Sequence, residues 1–287
     1  MELFLTENQT EDMRLSVRAT RVLHHEKTPY QELLVVETPQ WGRLMALDGF
    51  FQTCDRDEFV YHEMGAHVPL CTHPNPRRVL IIGGGDGGMA REAARHPEVE
   101  RVDLVEIDER VVECCKQYFP QIAVALSGNP KVHVHIADGI QWVQEHEAEY
   151  DVVIIDSSEP IGPGEGLFTA NFYARVFRCL KDDGILVAQT ESPWVNAPVI
   201  QRAYRGIRQS FPITRLYTCA VPTYPTGLWS FTLGSKKYDP LQAEPEKRVG
   251  ALGELRYYTP EVHRAAFQLP VFVQRILAEA EAEEEQP

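Results

Sequence analysis

The sequence has no long apolar run, and it opens without a secretory signal. A membrane-spanning helix needs about 20 consecutive apolar residues, whereas apolar stretches here, such as VVII at 152–155, are far shorter. Six cysteines are present with no CxxC spacing, which favours reduced thiols in a reducing compartment over a disulfide framework. We therefore expect a soluble, cytoplasmic protein that has no membrane partner.

Basic residues are also scarce. The chain has 28 Lys and Arg against 42 Asp and Glu, a formal net charge of −14. Five of these negative charges lie in the last ten residues, AEAEAEEEQP, so the rest of the chain carries −9. This balance argues against a nucleic-acid partner and permits a cationic ligand. We expect 278–287 to be a disordered acidic tail.

The first 55 residues have the pattern of a small antiparallel β domain. Short β-type runs at Leu33–Glu37, Leu44–Leu47 and Phe50–Thr53 are separated by turn residues, including Asp48-Gly49. Closely spaced strands with such turns predict hairpins. Residues 56–72 then take helical spacing, and HPNP at 73–76 ends that helix.

From Arg78 onward, strand and helix patterns alternate. This alternation predicts an α/β fold with parallel βαβ units and right-handed crossovers. We predict a Rossmann-like, methyltransferase-type sheet within a catalytic domain at 56–277, with the C-terminal segment near 260–280 helical. The predicted strands are Val79–Ile82, Val102–Ile107, Lys131–Ile136, Asp151–Ile155, Gly184–Gln189, Thr214–Cys219 and Trp229–Gly234.

Four of these strands are followed by acidic residues. Asp86 lies in the glycine run GGGDGG, and Glu106, Asp138 and Asp156 come at the ends of the next three strands. Ligands bind beyond the carboxyl ends of the strands in such sheets. A single acid there often only caps the next helix, but four of them favour a binding site.

Glu106 and the Asp138-Gly139 pair point to an adenosine moiety. An acid at the end of the second strand can accept hydrogen bonds from a ribose. Asp138 can accept from an exocyclic amino group, and Gly139 lets a base lie close. The glycine turn alone is a weak signal, and Glu106 strengthens it.

Asp86 is unusual because glycine turns of this kind normally receive anions through bare backbone N–H groups. A carboxylate would repel a pyrophosphate or the carboxylate of S-adenosylmethionine. At ~4 Å and an effective dielectric constant near 20, this repulsion is about 4 kcal/mol. An S-adenosylmethionine that lacks its carboxyl group and keeps its amine would instead be attracted. The alternative, that Asp86 simply caps the following helix, stays open.

The loop DSSEPIGPGEGLF at 156–168 adds a second pair of acids, Asp156 and Glu159. One could act as a general base while the other anchors a cation. An amine nucleophile needs this help, since freeing its lone pair at pH 7 takes roughly 4–5 kcal/mol. The glycines and prolines make the loop a candidate lid.

Taken together, the motifs resemble the polyamine aminopropyltransferases over nearly the whole chain. The motifs are DGFFQTCDRDEFVYHEM at 48–64, HPNPRRVLIIGGGDGG at 73–88, VEIDERV at 105–111, DSSEPIGPGEGLF at 156–168 and VPTYPTGLW at 221–229. The resemblance is closest to the bacterial members that make spermidine. It implies the transfer of an aminopropyl group from decarboxylated S-adenosylmethionine to a diamine, and we expect this diamine to be putrescine. Spermidine and methylthioadenosine would be the products. A sulfonium is already a good leaving group, so neither a metal nor a permanently bound cofactor is expected.

The resemblance also implies roles for individual residues. Asp156 would accept the proton, and Asp86 would hold the aminopropyl amine. The nucleoside would contact Gln31, Glu106, Asp138, Gly139 and Pro163. The diamine would contact Tyr61, His62, Asp156, Ser157, Ser158, Glu159 and Tyr224, with the tyrosines as aromatic walls for an ammonium.

Two departures from the family pattern bear on the acceptor. Glu159 stands where many members have aspartate, and Phe4 or Leu5 stands where several have tryptophan. Agmatine, cadaverine or spermidine therefore remain alternative acceptors. A methyltransferase and a non-catalytic binding protein are the more distant alternatives. The family further implies a homodimer or homotetramer, with the hairpin edges of the β domain as a contact surface.

Overall fold

The structure is a computed structural model that describes residues 2–158 and 162–284. Its N-terminal part is all β, in two antiparallel sheets. One is a hairpin of two strands, and the other is a four-stranded sheet in sequential order. The hairpin is β1 (Leu3–Asn8) and β2 (Arg14–Ala19), and the sheet is β3 (Arg21–Lys27), β4 (Glu32–Thr38), β5 (Gly42–Leu47) and β6 (Phe50–Cys54).

The second part is built on a seven-stranded sheet in the order β12-β13-β11-β10-β7-β8-β9. Strands β9, β8, β7, β10 and β11 are parallel, while β13 and β12 are antiparallel additions. This arrangement confirms the predicted α/β fold. The strands are β7 (Arg78–Gly83), β8 (Arg101–Glu106), β9 (Val132–Ile136), β10 (Tyr150–Asp156), β11 (Leu180–Gln189), β12 (Ile213–Ala220) and β13 (Leu228–Ser235).

Helices cover both faces of this sheet. Along β7, Val79 and Ile81 pack into one core with the first three helices, and Leu80 and Ile82 pack into the other core with the next three. Burial on both faces explains why these strands are apolar without alternation. The helices are α1 (Glu58–Thr72), α2 (Gly88–Ala94), α3 (Glu109–Tyr118), α4 (Gly139–Glu145), α5 (Ala170–Cys179), α6 (Ala197–Arg208), α7 (Glu246–Val249), α8 (Pro260–Ala266) and α9 (Val271–Glu284).

Helix α1 is buried along almost its whole length, so its polar residues must find partners inside the protein. Glu63 accepts hydrogen bonds from the backbone N–H groups of residues 256–258 at 2.7–2.9 Å. His67 contacts Glu92 of α2, with Nε2 3.1 Å from Oε2. Helix α1 therefore joins the C-terminal segment to the central sheet.

The expectation of a disordered tail from 278 is wrong as far as residue 284, because α9 continues to Glu284. Gln201 on α6 donates to Glu279 at 3.0 Å, and Val273 and Ile276 pack against α6 residues. The helical segment predicted at 260–280 is in fact two helices, α8 and α9, separated at the Leu269-Pro270 step. Residues 285–287 lie outside the described part of the chain.

Candidate active site

A cavity lies at the carboxyl ends of the parallel strands, where β7 and β10 are neighbours. The β domain and the Rossmann-like part both contribute walls. Eleven of the residues predicted from the sequence line it: Gln31, Tyr61, His62, Asp86, Glu106, Asp138, Gly139, Asp156, Ser157, Ser158 and Tyr224. Glu159 lies outside the described residues, and of Pro163 only the backbone is described, in a 3-10 turn at Gly162–Phe168.

Asp156 lies at the end of β10, within the cavity wall. The Tyr61 hydroxyl donates a hydrogen bond of 2.7 Å to Asp156 Oδ1. Burial, together with the negative charge of Asp86, raises the pKa of Asp156 to about 6. A carboxylate with such a pKa is ionised at pH 7 and is still basic enough to receive a proton.

The glycine run lets these side chains approach one another. A Cβ atom at Gly84 would lie 2.7 Å from Asp156 Oδ2, and one at Gly88 would lie 2.2 Å from the His62 ring. Gly84 also has a φ of +66°, which other residues rarely adopt. Larger residues here would push Asp156 and His62 away from Asp86.

Asp86 lines the cavity and also contacts the start of α2. Its Oδ1 accepts a hydrogen bond of 2.9 Å from the N–H of Gly88, the first residue of α2, while the N-cap position itself is Gly87. Its Oδ2 lies 3.1 Å from His62 Nε2, so it also forms an ion pair beside the cavity. Burial alone would raise the pKa of Asp86, but the positive charge of His62 lowers it below its usual value.

Glu106 lies at the end of β8 and is held by two backbone groups. Its Oε1 accepts from the Asp108 N–H at 2.9 Å, and its Oε2 accepts from the Gly85 N–H at 3.2 Å. Burial raises the pKa of Glu106 to about 7. The carboxylate is thus fixed in one orientation, and its remaining lone pairs are available to hydroxyl donors.

Gln31 of the β domain lines the cavity, and its side chain is held by Asp108. Asp108 was not singled out from the sequence. The Gln31 amide donates to Asp108 Oδ2 at 3.0 Å, and the Thr28 hydroxyl donates to the same oxygen at 2.7 Å. Asp108 also caps α3 by accepting from the Arg110 N–H. The motif VEIDERV contains Asp108, so its position two residues after Glu106 is the signal that could have found it.

Asp138 and Gly139 also have local structural contacts. Asp138 Oδ1 caps α4 by accepting from the Ile140 N–H at 2.7 Å. A Cβ atom at Gly139 would lie 2.3 Å from Ile82 Cγ2, so this glycine is needed for helix–strand packing. Both residues still line the cavity beside Glu106.

Aromatic rings form the other end of the cavity. The rings of Tyr61 and Tyr224 are 5.6 Å apart in an edge-to-face arrangement, and Trp229 lies 4.6 Å from Tyr224. The Tyr224 hydroxyl donates to the Gln52 carbonyl at 2.6 Å. Trp229 and Gln52 also line the cavity but have no role predicted from the sequence. Ser157 has a buried hydroxyl with no hydrogen-bond partner among the described residues.

A second layer of acids lies behind this end and was also missed. Glu191 is buried, and its Oε1 accepts from the amide of Gln189, which lines the cavity. Glu7 of β1 is buried as well and accepts from the Phe51 N–H at 2.9 Å. Burial raises the pKa of both carboxyl groups, that of Glu7 to about 7. Both belong to segments without motif character, which is why the sequence did not single them out.

The ligand atoms of His62, Asp86 and Asp156 lie within 4.8 Å of one another, a spacing that would also suit a metal ion. However, both His62 ring nitrogens already face carboxylate oxygens. Burial would lower the pKa of His62, but Asp86 and Glu58 raise it to about 10. A protonated imidazolium has no lone pair for a metal, so the cluster fits cationic substrate groups better.

Family models match both parts of the chain. The description of one is "Spermine/spermidine synthase domain", at residues 58–244, and that of the other is "Spermidine synthase tetramerisation domain", at residues 3–55. The chain belongs to the spermine/spermidine synthase family. The match confirms the resemblance seen in the sequence motifs, and the tetramerisation domain supports oligomer formation.

Relatives of this family are similar over nearly their whole length. The polyamine aminopropyltransferase of Moorella thermoacetica is 55% identical over 98% of this chain and 99% of its own, and that of Bacillus cereus strain ATCC 10987 is 52% identical over 95% and 98%. The spermidine synthase of Thermotoga maritima has a TM-score of 0.91, with 41% identity over 96% of this chain and 94% of its own.

A further spermidine synthase structure, in complex with the transition-state analogue AdoDATO, has a TM-score of 0.94 and 42% identity over 96% and 95% of the two chains. As a member of the polyamine aminopropyltransferases, this chain is a transferase of polyamine biosynthesis. Among its described residues, no helix combines the length and apolar character needed to cross a membrane.

Proposed function

We propose that this protein is a spermidine synthase, which transfers the aminopropyl group of decarboxylated S-adenosylmethionine to putrescine. The observation that carries this proposal is the pairing of Asp86 and Asp156 in one buried cavity with opposite shifts in pKa. One carboxylate stays ionised and suits an ammonium, while the other can receive a proton. The AdoDATO complex of a relative at 42% identity supports the same donor.

The nucleoside of the donor would bind at the ends of β8 and β9. Glu106 is fixed by two backbone N–H groups and would accept from the ribose hydroxyls. Asp138, Gly139 and Gln31 line the same end and would contact the adenine side. The aminopropyl amine would then lie against Asp86, where a carboxylate on the ligand would be repelled.

The reaction is a direct displacement. The lone pair of the acceptor amine attacks the aminopropyl carbon next to the sulfonium, and a new C–N bond forms as the C–S bond breaks. The bonding pair leaves with sulfur, which becomes the neutral thioether of methylthioadenosine. Asp156 takes the proton that the amine loses, and the Tyr61 hydroxyl holds its carboxylate in place.

The acceptor end suits an amine with a second positive charge. Tyr61, Tyr224 and Trp229 provide aromatic faces and edges at this end of the cavity. Behind them, Glu191 and Glu7 are buried carboxyl groups near Gln189 and Phe51, and a nearby ammonium would favour their ionised forms. We infer that the distal ammonium of putrescine faces Gln189 and this acidic layer. We further propose that the β domain mediates a homodimer or homotetramer.

The test is to incubate the purified protein with decarboxylated S-adenosylmethionine and, in turn, putrescine, agmatine, cadaverine or spermidine. Mass spectrometry follows methylthioadenosine and the aminopropylated product. We expect the highest kcat/KM with putrescine, and no methylated product when S-adenosylmethionine is supplied instead. Preference for another amine would assign a different acceptor and overturn putrescine as the substrate. If no methylthioadenosine forms with any amine, the whole proposal is overturned.

A further inference from the structure

A row of four charged groups leads from α2 to the cavity, with Arg91 partly exposed and Glu58, His62 and Asp86 buried. The guanidinium of Arg91 lies 2.8 Å from Glu58 Oε2, and the same oxygen lies 2.6 Å from His62 Nδ1. His62 Nε2 lies 3.1 Å from Asp86 Oδ2, at the cavity wall. The signs alternate along the row, which is the arrangement that makes burial of charge tolerable.

The geometry at His62 favours the protonated imidazolium. Each ring nitrogen faces a carboxylate oxygen, and a carboxylate can only accept. A neutral imidazole has one N–H and would leave a lone pair opposite one of these oxygens. Two N–H donors are present only in the imidazolium, so with both carboxyl groups ionised the contacts favour a positive charge on His62.

Other titratable groups act on the same pair. Asp156, at the end of β10, is the other anion near Asp86, and its charge acts against the ionised form of Asp86. Tyr61 and Cys115 are neutral, because burial raises the pKa of each well above its usual value. On the described elements, His62 is therefore the cation in direct contact with Asp86, supported at a distance by Arg91.

We propose that His62 is a positioning residue whose positive charge keeps Asp86 ionised and oriented toward the donor amine, so that Asp156 is the carboxylate left to take the proton. This role rests on the proposed function, but it assigns His62 to Asp86 rather than to the diamine. The proposal also assigns a role to Glu58 and Arg91. Glu58 pairs with His62 Nδ1, and Arg91 pairs with Glu58, so both stabilise the imidazolium. The high pKa of His62, about 10, agrees with a cation throughout the physiological range.

The first test measures the charge of His62 without any turnover. Long-range ¹H–¹⁵N NMR of the wild-type imidazoles is recorded from pH 6 to pH 9, and the His62 signal is assigned by its loss in His62→Gln or, if that variant does not fold, by its shift in Glu58→Gln. We expect both ring nitrogens to remain protonated across this range. A His62 signal that becomes neutral below pH 8 would overturn the proposal.

The second test measures the binding of decarboxylated S-adenosylmethionine by calorimetry, without an amine, at pH 6.5 and pH 8.5. Glutamine cannot supply a charge, so in His62→Gln the pKa of Asp86 rises, and we expect about tenfold weaker binding at pH 6.5 that partly recovers at pH 8.5. The matched control is His67→Gln. This histidine is buried on the same helix, bonds to Glu92 and does not line the cavity.

The outcomes separate the two proposals. If donor binding by His62→Gln is weakened equally at both pH values, His62 has only a structural role. The same conclusion follows if His67→Gln shows the same pH dependence of donor binding. If His62→Gln does not fold, Glu58→Gln should show the same pH dependence with a smaller amplitude, because Arg91 and Asp86 remain. A wild-type protein that does not bind this donor would contradict the proposed function, whereas the NMR titration would still decide the charge of His62.

Discussion

Asp86 and Asp156 are the same residue type in the same cavity, yet their surroundings give them different protonation behaviour. Asp86 has a cationic partner at 3.1 Å and a backbone N–H, whereas Asp156 has a neutral phenol and a neighbouring anion. Opposite pKa shifts in neighbouring acids are a physical basis for assigning acid, base and anchor roles. The two residues should therefore fail in different ways when each is made neutral.

We predict that Asp156→Asn lowers kcat by about 10²–10⁴-fold, the usual range for loss of a general base, with little change in donor affinity. Asp86→Asn should instead weaken donor binding by about tenfold or more, because an ammonium loses its charged partner. Calorimetry with the donor and a methylthioadenosine assay separate the two effects. The reverse pattern, with kcat intact in Asp156→Asn, would contradict the assignment.

Glu7 allows a prediction about stability. Its folded-state pKa, about 7, is above the usual value of 4.5 because the side chain is buried. The folded protein thus binds the proton more tightly than the unfolded chain. Its contribution to stability is fully present below about pH 4.5 and is lost as the pH rises through about 7.

We predict that Glu7→Gln increases the free energy of unfolding by about 1–3 kcal/mol at pH 8 and changes it little at pH 5. The glutamine carbonyl can still accept from the Phe51 N–H. The KM for putrescine should rise, since negative charge near the distal ammonium is lost. Denaturant unfolding at both pH values checks the sign, and an equal effect at pH 5 and pH 8 would contradict it.

At the scale of elements, the parallel strands could be predicted because their ends carry strong local signals. Apolar β-branched runs followed by glycine or an acid locate β7, β8 and β10 to within a residue or two. Strands β1, β2 and β3 could not be predicted in this way. Most of their residues are at least partly exposed, so they lack the apolar alternation on which such predictions depend.

The residues predicted for the site lie together in one cavity for the same reason. Asp86, Glu106 and Asp156 end the strands that carry those signals, and the sheet topology brings them together. Glu7 lies in the separate two-stranded hairpin, and Glu191 follows β11 and has a φ of +72°. Their position depends on tertiary packing between the two parts of the chain, and no local pattern encodes it.

A loop at 221–227 carries Tyr224 and depends on one buried acid, Asp57. Asp57 Oδ2 accepts from the Thr223 N–H at 2.8 Å, and its carboxylate also accepts from the Thr223 hydroxyl. The Cys54 thiol, at the end of β6, donates to Asp57 as well. Asp57 thus joins the β domain, the start of α1 and the aromatic wall of the cavity.

We predict that Thr223→Val raises the KM for the acceptor amine several-fold, because a hydroxyl–carboxylate hydrogen bond of roughly 1.5–3 kcal/mol no longer holds the loop. Thr223→Ser keeps the hydroxyl and serves as the matched control. Donor affinity should be unchanged in both variants, since the proposed nucleoside end lies at β8 and β9. A parallel loss of donor binding, or an equal defect in the serine variant, would show that the loop does not act on the acceptor alone.

At the scale of the whole molecule, the net charge of −14 fits the charge of the proposed substrates. Decarboxylated S-adenosylmethionine and putrescine are both cations, and the cavity has several carboxylates in its walls or directly behind them. An acidic protein with an acidic cleft increases the encounter rate of cationic ligands. Screening by salt shortens the range of this attraction to about 10 Å at 0.1 M ionic strength.

We predict that kcat/KM for putrescine falls several-fold as the ionic strength rises from about 0.02 M to about 0.5 M, because the Debye length shrinks over this range. The fall should come from KM, while kcat changes little, since the buried pairs around Asp86 and Asp156 are screened far less than surface charges. Steady-state assays in NaCl and in potassium acetate would exclude an effect of one particular ion. A fall in kcat with a constant KM would contradict steering and would place the salt effect on the chemical step or on product release.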